Sequence, residues 1–400
     1  MEADNVRSGA SPASPALAAL PAALRSALRW EGGLVLLLVV VAVLGSQASS
    51  QFLTSGNVFN LAVTSGEVAI MALPMTLIVI TGEIDLSVAS TLGMSSALLG
   101  VLWADHWPML AIFAAVAVLG IAAGLFNGLL VTRLGLPSLA VTIGTLTLYR
   151  GIALILLGAR TVSTFPAPYN TIGVLPVWHT GLPISALIFI VLAVVFGVVL
   201  HFTPVGRSIY AMGNSAEAAL YAGIRVKRIK LLLFVVSGLL SALAGVLWTF
   251  RLDTAVQNNG IGMELNVVAV VLLAGVSIFG GKGSIVGVVL AVLAFAGIQN
   301  ALLLTNFNQE ATGIVVGGLL LLSVFAPSTR EFAARARAAL RGRDVRRSGG
   351  IRGPRVIQGS GGVPGSGGVP GAVGAPGGPG VPDTTEAPGP QIPTSGGAGG

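Results

Sequence analysis

The 400-residue chain has no cysteine and little charge, since only 9% of its residues are Asp, Glu, Lys or Arg. Without cysteine it forms no disulfide and no thiolate metal site. Soluble domains carry about 25% charged residues, so this chain has too few to cover a surface that faces water. Its apolar fraction is 54% and its mean hydropathy is +0.88. These values predict that the lipid bilayer is its main solvent.

The chain also lacks the residue groups of an enzyme. Its three histidines, His106, His179 and His201, are scattered in or near predicted loops, so we expect no catalytic residue and no bound metal. The segment GGKGS at 280–284 is not a phosphate-binding loop, because Gly283 stands where that motif requires Ser or Thr. We interpret it as a tight reversal between helices, whose glycines allow positive φ. We therefore expect no cofactor on this chain, and an external energy source if transport is uphill.

Long apolar runs fill the chain between residues 32 and 327. A transmembrane helix needs roughly 20 apolar residues to cross a hydrocarbon core about 30 Å thick. Transmembrane β-strands would alternate apolar and polar residues, and these runs do not. The sequence therefore predicts an all-α membrane protein with about ten transmembrane helices. They are 32–47, 58–80, 86–103, 109–131, 138–158, 183–202, 229–249, 265–281, 284–305 and 311–327.

The two ends of the chain differ in composition from this membrane region. We predict an N-terminal segment at 1–30, a polytopic membrane domain at 31–329, a basic juxtamembrane segment at 330–347 and a tail at 348–400. The tail is dominated by Gly and Pro and lacks the strict glycine period of collagen. Because it has almost no large apolar side chains to bury, we expect this Gly/Pro-rich tail to be disordered.

The positive charges predict how the chain sits in the membrane. If both termini lie on one side, that side holds three Lys and Arg before the first span, seven in its loops and nine from Arg330 onward. The opposite side holds two, Arg160 and Arg251. This bias predicts that both termini are cytoplasmic. We expect the Arg-rich segment at 330–355 to lie along lipid headgroups, and no nucleic-acid partner, because no aromatic platform accompanies the charge.

The densest charge inside the membrane region lies in the stretch GNSAEAALYAGIRVKRIK at 213–230. Asn214 is placed to cap a short helix, and Glu217 stands three residues later, where it can reach back to the cap. Gly223 stands where a left-handed terminating residue belongs. The helix is either a docking element for a cytoplasmic partner or an amphipathic connector at the headgroups. The candidate docking residues are Asn214, Ser215, Glu217, Ala218 and Gly223.

The segment TGEIDLSVAS at 81–90 separates the second and third predicted spans. Asp85 and Ser87 can bond N–H groups at the start of the third span. Glu83 and Asp85 form a pair of carboxylates, but no His, Lys or Cys stands near them to complete a catalytic or metal site. We therefore interpret the segment as a cap and a packing element. The predicted structural residues are Asp85, Ser87, Gly281, Lys282 and Gly283.

Polar side chains inside the predicted spans mark interiors or cavities. Each one also has a structural interpretation, because Thr bonds its own helix and Asn or Gln bonds a neighbouring helix. Glu67 is the one carboxylate well inside a predicted span, which keeps an ion-coupled transporter open as an alternative. The candidate pathway residues are Glu67, Asn127, Thr145, Gln299 and Asn300.

Four blocks of the sequence resemble the membrane-spanning permease subunits of bacterial ATP-binding-cassette sugar importers, in the ribose, xylose, rhamnose and autoinducer-2 group. They are GEIDLSVAS at 82–90, RLGLPSLAVTIGTLTLYRG at 133–151, and the longer blocks at 213–247 and 254–300. Family members typically have Gly or Asn where this chain has Glu83. The segments at 133–152 and 260–284 look closest to rhamnose or autoinducer-2 members.

The resemblance implies a multi-pass protein of the bacterial plasma membrane that works in an assembly. Its partners would be a second permease subunit, identical or related, a pair of cytoplasmic ATP-binding subunits that use the ATP, and an extracytoplasmic sugar-binding protein. The loop at 213–223 would transmit ATPase closure to the membrane helices and so drive alternating access. A branched-chain amino-acid permease of the same superfamily is the nearest alternative, and an ion-coupled transporter or a membrane-embedded enzyme are the rival classes.

Overall fold

A computed structural model of the protein describes residues 22–177, 181–307, 313–319 and 321, with residues 22–29 and 172–173 described by their backbone alone. The predicted segments at 330–347 and 348–400 lie outside the described residues, as do residues 1–21 of the predicted N-terminal segment. His179 lies outside them too. Of the tenth predicted span, residues 313–319 are helical, and most of the remainder lies outside the described part of the chain.

The described residues form helices joined by short connections. A two-residue strand pair, β1 (Val162–Ser163) and β2 (Thr254–Ala255), is antiparallel with Val162 opposite Ala255. The helices are α1 (Ala22–Ala48), α2 (Ser55–Ile80), α3 (Val88–Ala104), α4 (Met109–Thr132), α5 (Ser138–Leu157), α6 (Ala167–Val174), α7 (Ile184–Phe202), α8 (Pro204–Asn214), α9 (Ala216–Tyr221), α10 (Val226–Leu252), α11 (Met263–Leu273) and α12 (Ile285–Leu304).

Seven of the helices in the described ranges are long and apolar enough to cross a membrane: α1 from Trp30 onward, α2, α4, α5, α7, α10 and α12. The 17-residue α3 and the 11-residue α11 are apolar but shorter. The predicted all-α membrane fold is therefore confirmed.

The eighth predicted span, at 265–281, is wrong in its second half because α11 ends at Leu273. Gly275 has a φ of +82°, a left-handed conformation that stops a helix at little steric cost. The indole of Trp30 lies against Gly275, and its Nε1 donates to the carbonyl oxygen of Leu273 at 3.2 Å. Residues 274–284 therefore form an irregular connection to α12.

Helix α2 lies at the centre of the bundle. Every residue from Gly66 to Ile80 is buried, and the helix packs against α7, α10, α11 and α12. A helix that is apolar on all sides has no face that suits solvent, so the sequence of α2 favours this central place. Helix α10 packs along α4 at Gly120, Gly124 and Gly238, where small residues let the two backbones approach closely.

The connections between the long helices gather at two ends of the bundle. One end carries residues 81–87, 133–137, 203–225 and 274–284, together with the first residues of α10. We call it the basic end after its seven Lys and Arg residues, of which three lie at the start of α10. Contacts join these segments, since the Ile84 backbone N–H donates to Ser138 Oγ at 3.1 Å and the Gly281 N–H donates to the Ile80 carbonyl at 2.9 Å. The opposite end carries residues 105–108, 158–177, 181–183 and 253–262, with the strand pair.

Candidate functional site

The most elaborate structure at the basic end is a pair of short helices, α8 and α9, which we call the elbow (residues 203–223). Ser215 has an extended backbone, with φ −161° and ψ 109°, and therefore breaks the helix between them. Its hydroxyl oxygen accepts the Ala218 N–H at 3.1 Å and so caps α9. Glu217 lies in the first turn of α9, where negative charge suits a helix N-terminus.

The predicted cap at Asn214 is wrong. Asn214 is the last residue of α8, and its side-chain Nδ2 donates back to the Tyr210 carbonyl at 2.9 Å. The hydroxyl of Ser215, one position later, takes the capping role. Gly223 does have the left-handed conformation that the sequence predicts, with a φ of +81° just after the end of α9.

The elbow is seated on two other segments of the basic end. Gly213 lies so close to Ile80 and Gly281 that a Cβ built at residue 213 would overlap the Ile80 carbonyl oxygen and the Gly281 backbone nitrogen. One turn earlier, the Tyr210 hydroxyl donates to the Gly283 carbonyl oxygen at 2.7 Å. Burial raises the pKa of Tyr210 to about 12, so this donor keeps its proton at neutral pH. The elbow therefore touches both the end of the central helix and the glycine turn at 280–283.

The outer surface of the elbow is apolar and exposed. Leu220 and Tyr221 of α9 are 63% and 84% exposed, while the neighbouring Ala219 is buried. Phe279, beside the glycine turn, is 90% exposed. Large apolar side chains displayed in this way are typical of a surface that binds another protein or lies against the membrane.

Asp85 holds the segment at 81–87 to the rest of the bundle. Its Oδ1 accepts the Ser87 N–H at 3.0 Å and the Ser87 hydroxyl at 2.6 Å, and its Oδ2 accepts the Ser237 hydroxyl of α10 at 2.8 Å. Ser87 Oγ in turn accepts from Asn127 Nδ2 at 2.8 Å. The Tyr149 hydroxyl of α5 donates to the Ala123 carbonyl of α4 at 2.9 Å and lies 3.3 Å from Asn127 Oδ1. This buried network joins the turn after α2 to α4, α5 and α10.

Two ion pairs connect the same two segments of the chain, α2 with its following turn and α10. At the basic end, the Lys230 ammonium pairs with Glu83. Farther along α2, the Glu67 carboxylate is 1% exposed and accepts from Arg251 Nε at 2.8 Å. The Arg251 guanidinium also lies 4.7 Å from the centre of the Trp248 ring. The two pairs thus join α2 and α10 at separate levels of the bundle.

The five predicted pathway residues are not brought together in the described structure. Glu67 pairs with Arg251, and Asn127 belongs to the Asp85 network. Thr145 is buried and its hydroxyl donates to the Thr142 carbonyl at 3.4 Å. Asn300 and Asn57 exchange two amide hydrogen bonds, of 2.7 and 3.0 Å. Gln299, next to Asn300 in α12, is half-buried.

Sequence reasoning missed the residues that hold the elbow and the ion pairs, namely Tyr210, Gly213, Lys230 and Arg251. Gly213 carried a signal, since a glycine in the last turn of a helix often marks close backbone contact. Lys230 was counted as one basic loop residue and Arg251 as a residue of the opposite loop. Their partners lie 147 and 184 positions away in the sequence, and no local pattern links them.

Comparison with known proteins identifies a common family. Residues 57–324 match the family described as "Branched-chain amino acid transport system / permease component". A ribose import permease protein of Bacillus subtilis is 34% identical over 297 residues, which cover 73% of this chain and 89% of the relative. No solved structure matches the chain.

Two further relatives extend the comparison. An autoinducer 2 import system permease protein of Salmonella choleraesuis is 32% identical over 311 residues, or 78% of this chain and 87% of the relative. A D-allose transport system permease protein of Escherichia coli is 32% identical over 301 residues, or 74% of this chain and 92% of the relative. The residues that the family model matches, 57–324, include the elbow and the other three segments of the basic end.

Proposed function

Because this chain belongs to the branched-chain amino acid transport system permease component family, we propose that it is the membrane-spanning subunit of an importer driven by a separate ATPase. It is a multi-pass protein of the bacterial inner membrane, as its apolar helices and its relatives indicate. The basic end faces the cytoplasm in this proposal, in agreement with the positive-inside rule.

The proposed solute is a monosaccharide or a related small polyol. The relatives described above import ribose, autoinducer 2 or D-allose according to their names, and each is matched over most of its length. Autoinducer 2 or rhamnose remains the finer expectation from the sequence blocks. The family description names branched-chain amino acids, so leucine transport is the alternative that the experiment below must separate.

The observation that carries the proposal is the seating of the elbow. It presents exposed apolar side chains on its outer surface, and its inner side touches backbone atoms of Ile80 and Gly281. A push on α9 therefore reaches the end of the buried central helix and the turn before α12 without a flexible side chain between them. This is the geometry that a transmission element needs, because close-packed interiors pass displacement on and do not absorb it.

The proposed partners follow from this arrangement. A pair of cytoplasmic ATP-binding subunits binds and hydrolyses ATP and docks on the elbow. A second permease subunit, a copy of this chain or a relative, completes the pathway, and an extracytoplasmic binding protein delivers the solute. This chain supplies the pathway and the docking surface, and it binds no nucleotide itself.

In the proposed cycle, closure of the ATPase pair moves the elbow and tilts α2 relative to α10. The two ion pairs then act at separate levels of the same helix pair: Lys230–Glu83 at the cytoplasmic end and Arg251–Glu67 toward the opposite end. A tilt that shortens one pair lengthens the other. The Asp85 network holds the turn at 81–87, which carries Glu83, to α4 and α10, so that this turn moves as part of the bundle.

The proposal is tested by reconstituting the chain with its ATPase and binding protein in liposomes loaded with ATP. We expect uptake of a labelled monosaccharide that stops when ATP is replaced by ADP and continues in the presence of a protonophore. Uptake that a protonophore abolishes and that ADP supports equally would contradict the ATP-driven mechanism. ATP-driven uptake of leucine and not of any sugar would contradict the solute class alone.

A further inference from the structure

A cavity of about 430 Å³ lies at the basic end, between the connection from α4 to α5 and the start of α10. Its charged lining residues are Arg133, Lys227, Lys230 and Glu83. Cavities that bind small molecules span about 300–1,000 Å³, so this one is large enough for a ligand of modest size. The Asp85 network and the five predicted pathway residues take no part in its lining.

The charge of this cavity suits an anion. Glu83, the acidic residue in its lining, pairs with Lys230, and within the described residues neither Arg133 nor Lys227 forms an ion pair. Two uncompensated positive charges therefore remain. The cavity is also lined by Val226, the first residue of α10, and the cap residue Arg225 makes no side-chain capping bond. The positive end of the α10 dipole thus adds to the attraction for a phosphate group.

An apolar groove of about 340 Å³ adjoins the cavity and shares Leu136 and Pro137 with it. The groove follows α5 past Ala140 and Gly144 to Thr145, which is about 12 Å along a helix at about 1.5 Å per residue. A Cβ built at Gly144 would meet no atom within 4 Å, so the groove is open there.

The groove suits a hydrocarbon chain better than a sugar. The Thr145 hydroxyl in its wall donates to the backbone carbonyl of Thr142, and the other lining side chains are apolar. A monosaccharide in this groove would lose its hydrogen bonds to water without replacing them, which is strongly unfavourable. An acyl chain makes no hydrogen bonds to water and therefore loses none when it enters the groove.

We propose that the cavity and the groove together bind one anionic phospholipid, with its phosphate between Arg133 and Lys227 and one acyl chain along α5. A basic cavity beside an apolar groove matches the two parts of such a lipid, and basic pockets between transmembrane helices recognise anionic headgroups. The proposal requires that the chain lies in a bilayer, and it does not depend on the solute or on the ATPase.

The test measures lipid binding to the purified full-length chain in phosphatidylcholine nanodiscs with increasing phosphatidylglycerol. Native mass spectrometry of the released protein counts the bound lipid. We expect one phosphatidylglycerol per chain, and an affinity at least tenfold lower in the variant Arg133→Gln/Lys227→Gln. Arg225→Gln/Arg228→Gln is the matched control, since it removes the same charge beside the cavity from residues that do not line it, and it should bind as the wild type does.

A second pair of variants tests the groove. Gly144→Leu should fill it and lower the affinity at least tenfold, whereas Gly151→Leu, two turns along the same helix and also open, should not. All four variants should melt within a few degrees of the wild type in phosphatidylcholine alone, which separates lost binding from lost folding.

Three results would overturn the proposal. If Arg133→Gln/Lys227→Gln and Arg225→Gln/Arg228→Gln lower the affinity for phosphatidylglycerol equally, the lipid is attracted by the general positive charge of this end and not by the cavity. Normal binding by Gly144→Leu, together with displacement of the lipid by millimolar glycerol phosphate, would mean that the cavity takes a soluble phosphate. Release of phosphatidylglycerol whenever two chains associate would mean that the groove is covered by a second copy of the chain.

Discussion

Sugar uptake by a Gly213→Val variant should fall at least tenfold, while the protein still reaches the membrane. The valine Cβ would overlap the Ile80 carbonyl oxygen and the Gly281 nitrogen, and neither backbone atom can rotate away. Overpacking of this kind typically destabilises by about 1–3 kcal/mol. Here it acts at the contact of Gly213 with Ile80 and Gly281, which we call the seam between the elbow and the bundle. We expect the elbow to shift outward. The measurement is ATP-driven uptake in liposomes, with membrane content of the chain measured in parallel.

Two controls show whether the seam is responsible. Gly151→Val places the same side chain on α5 in open space, and its uptake should stay close to that of the wild type. Trimming the neighbouring side chain with Ile80→Ala should not rescue Gly213→Val, because the overlap is with the backbone carbonyl. Recovery of uptake in that double variant would show that the contact acts through side-chain packing and would contradict the rigid seam.

Removing one partner of the Glu67–Arg251 pair should give the largest loss of stability among single substitutions of charged residues. Glu67 is buried and Arg251 is mostly buried, so Glu67→Ala or Arg251→Ala leaves an uncompensated charge inside the bundle. Breaking a buried pair in this way costs about 3–5 kcal/mol, which lowers the melting temperature by roughly 10 °C. The measurement is thermal unfolding of the purified chain in detergent.

The double variant Glu67→Gln/Arg251→Gln should recover most of that loss, because the two amides can bond each other and no charge is left buried. It should also keep ATP-driven uptake within about threefold of the wild type, because the bonded amides still join α2 to α10 and the proposed cycle needs that join but no protonation of Glu67. Glu83→Ala is the comparison, because the Lys230–Glu83 pair joins the same two segments but is more exposed to solvent. Its loss of melting temperature should be smaller than that of Glu67→Ala.

The double variant also separates the two transport mechanisms. If it melts normally but transports nothing, Glu67 carries a coupling ion and the ATP-driven account fails. If each single variant is as stable as the double variant, the interaction between Glu67 and Arg251 adds nothing to the free energy of unfolding. The pair then has no role in the proposed cycle.

The helices could be predicted from the sequence because their signal is local. Long apolar runs place α2, α4, α5, α7 and α12 within three residues of their observed ends. The same signal failed at 265–281, where the run stays apolar past Leu273 but Gly275 turns left-handed against Trp30. Hydropathy measures the preference for lipid, and it cannot tell a helix from an irregular segment buried among helices.

The candidate site could be predicted only in part. The sequence marks the stretch at 213–223, the segment at 81–87 and the turn at 280–284 as unusual, each through its own Gly, Asp or charged residues. That all three meet at one end follows from the order of the spans, whereas the contact of Gly213 with Ile80 and Gly281 follows from packing alone. The capping residue was misplaced by one position, because Asn and Ser are comparably good caps and stand side by side.

The resemblance adds what the residues cannot supply. Nothing in the composition or the spacing distinguishes a docking helix from an amphipathic connector at the headgroups. The family match, which covers residues 57–324, favours the docking interpretation, and the exposed Leu220 and Tyr221 agree with it. The five polar residues predicted for the pathway do not identify the solute, because four of them bond to other groups of the chain.

The central claim is that the elbow faces the cytoplasm and meets a separate ATPase. The chain has no native cysteine, so a single Ala218→Cys variant labels the elbow without disturbing the cap at Ser215. Asp105→Cys, in the exposed connection at the opposite end, is the matched control. A membrane-impermeant maleimide is applied to intact cells, to permeabilised cells, and to permeabilised cells with the ATPase subunit in excess. The account predicts that residue 105 reacts in intact cells, that residue 218 reacts only after permeabilisation, and that excess ATPase protects it. Labelling of residue 218 in intact cells, at the rate seen for residue 105, would contradict it.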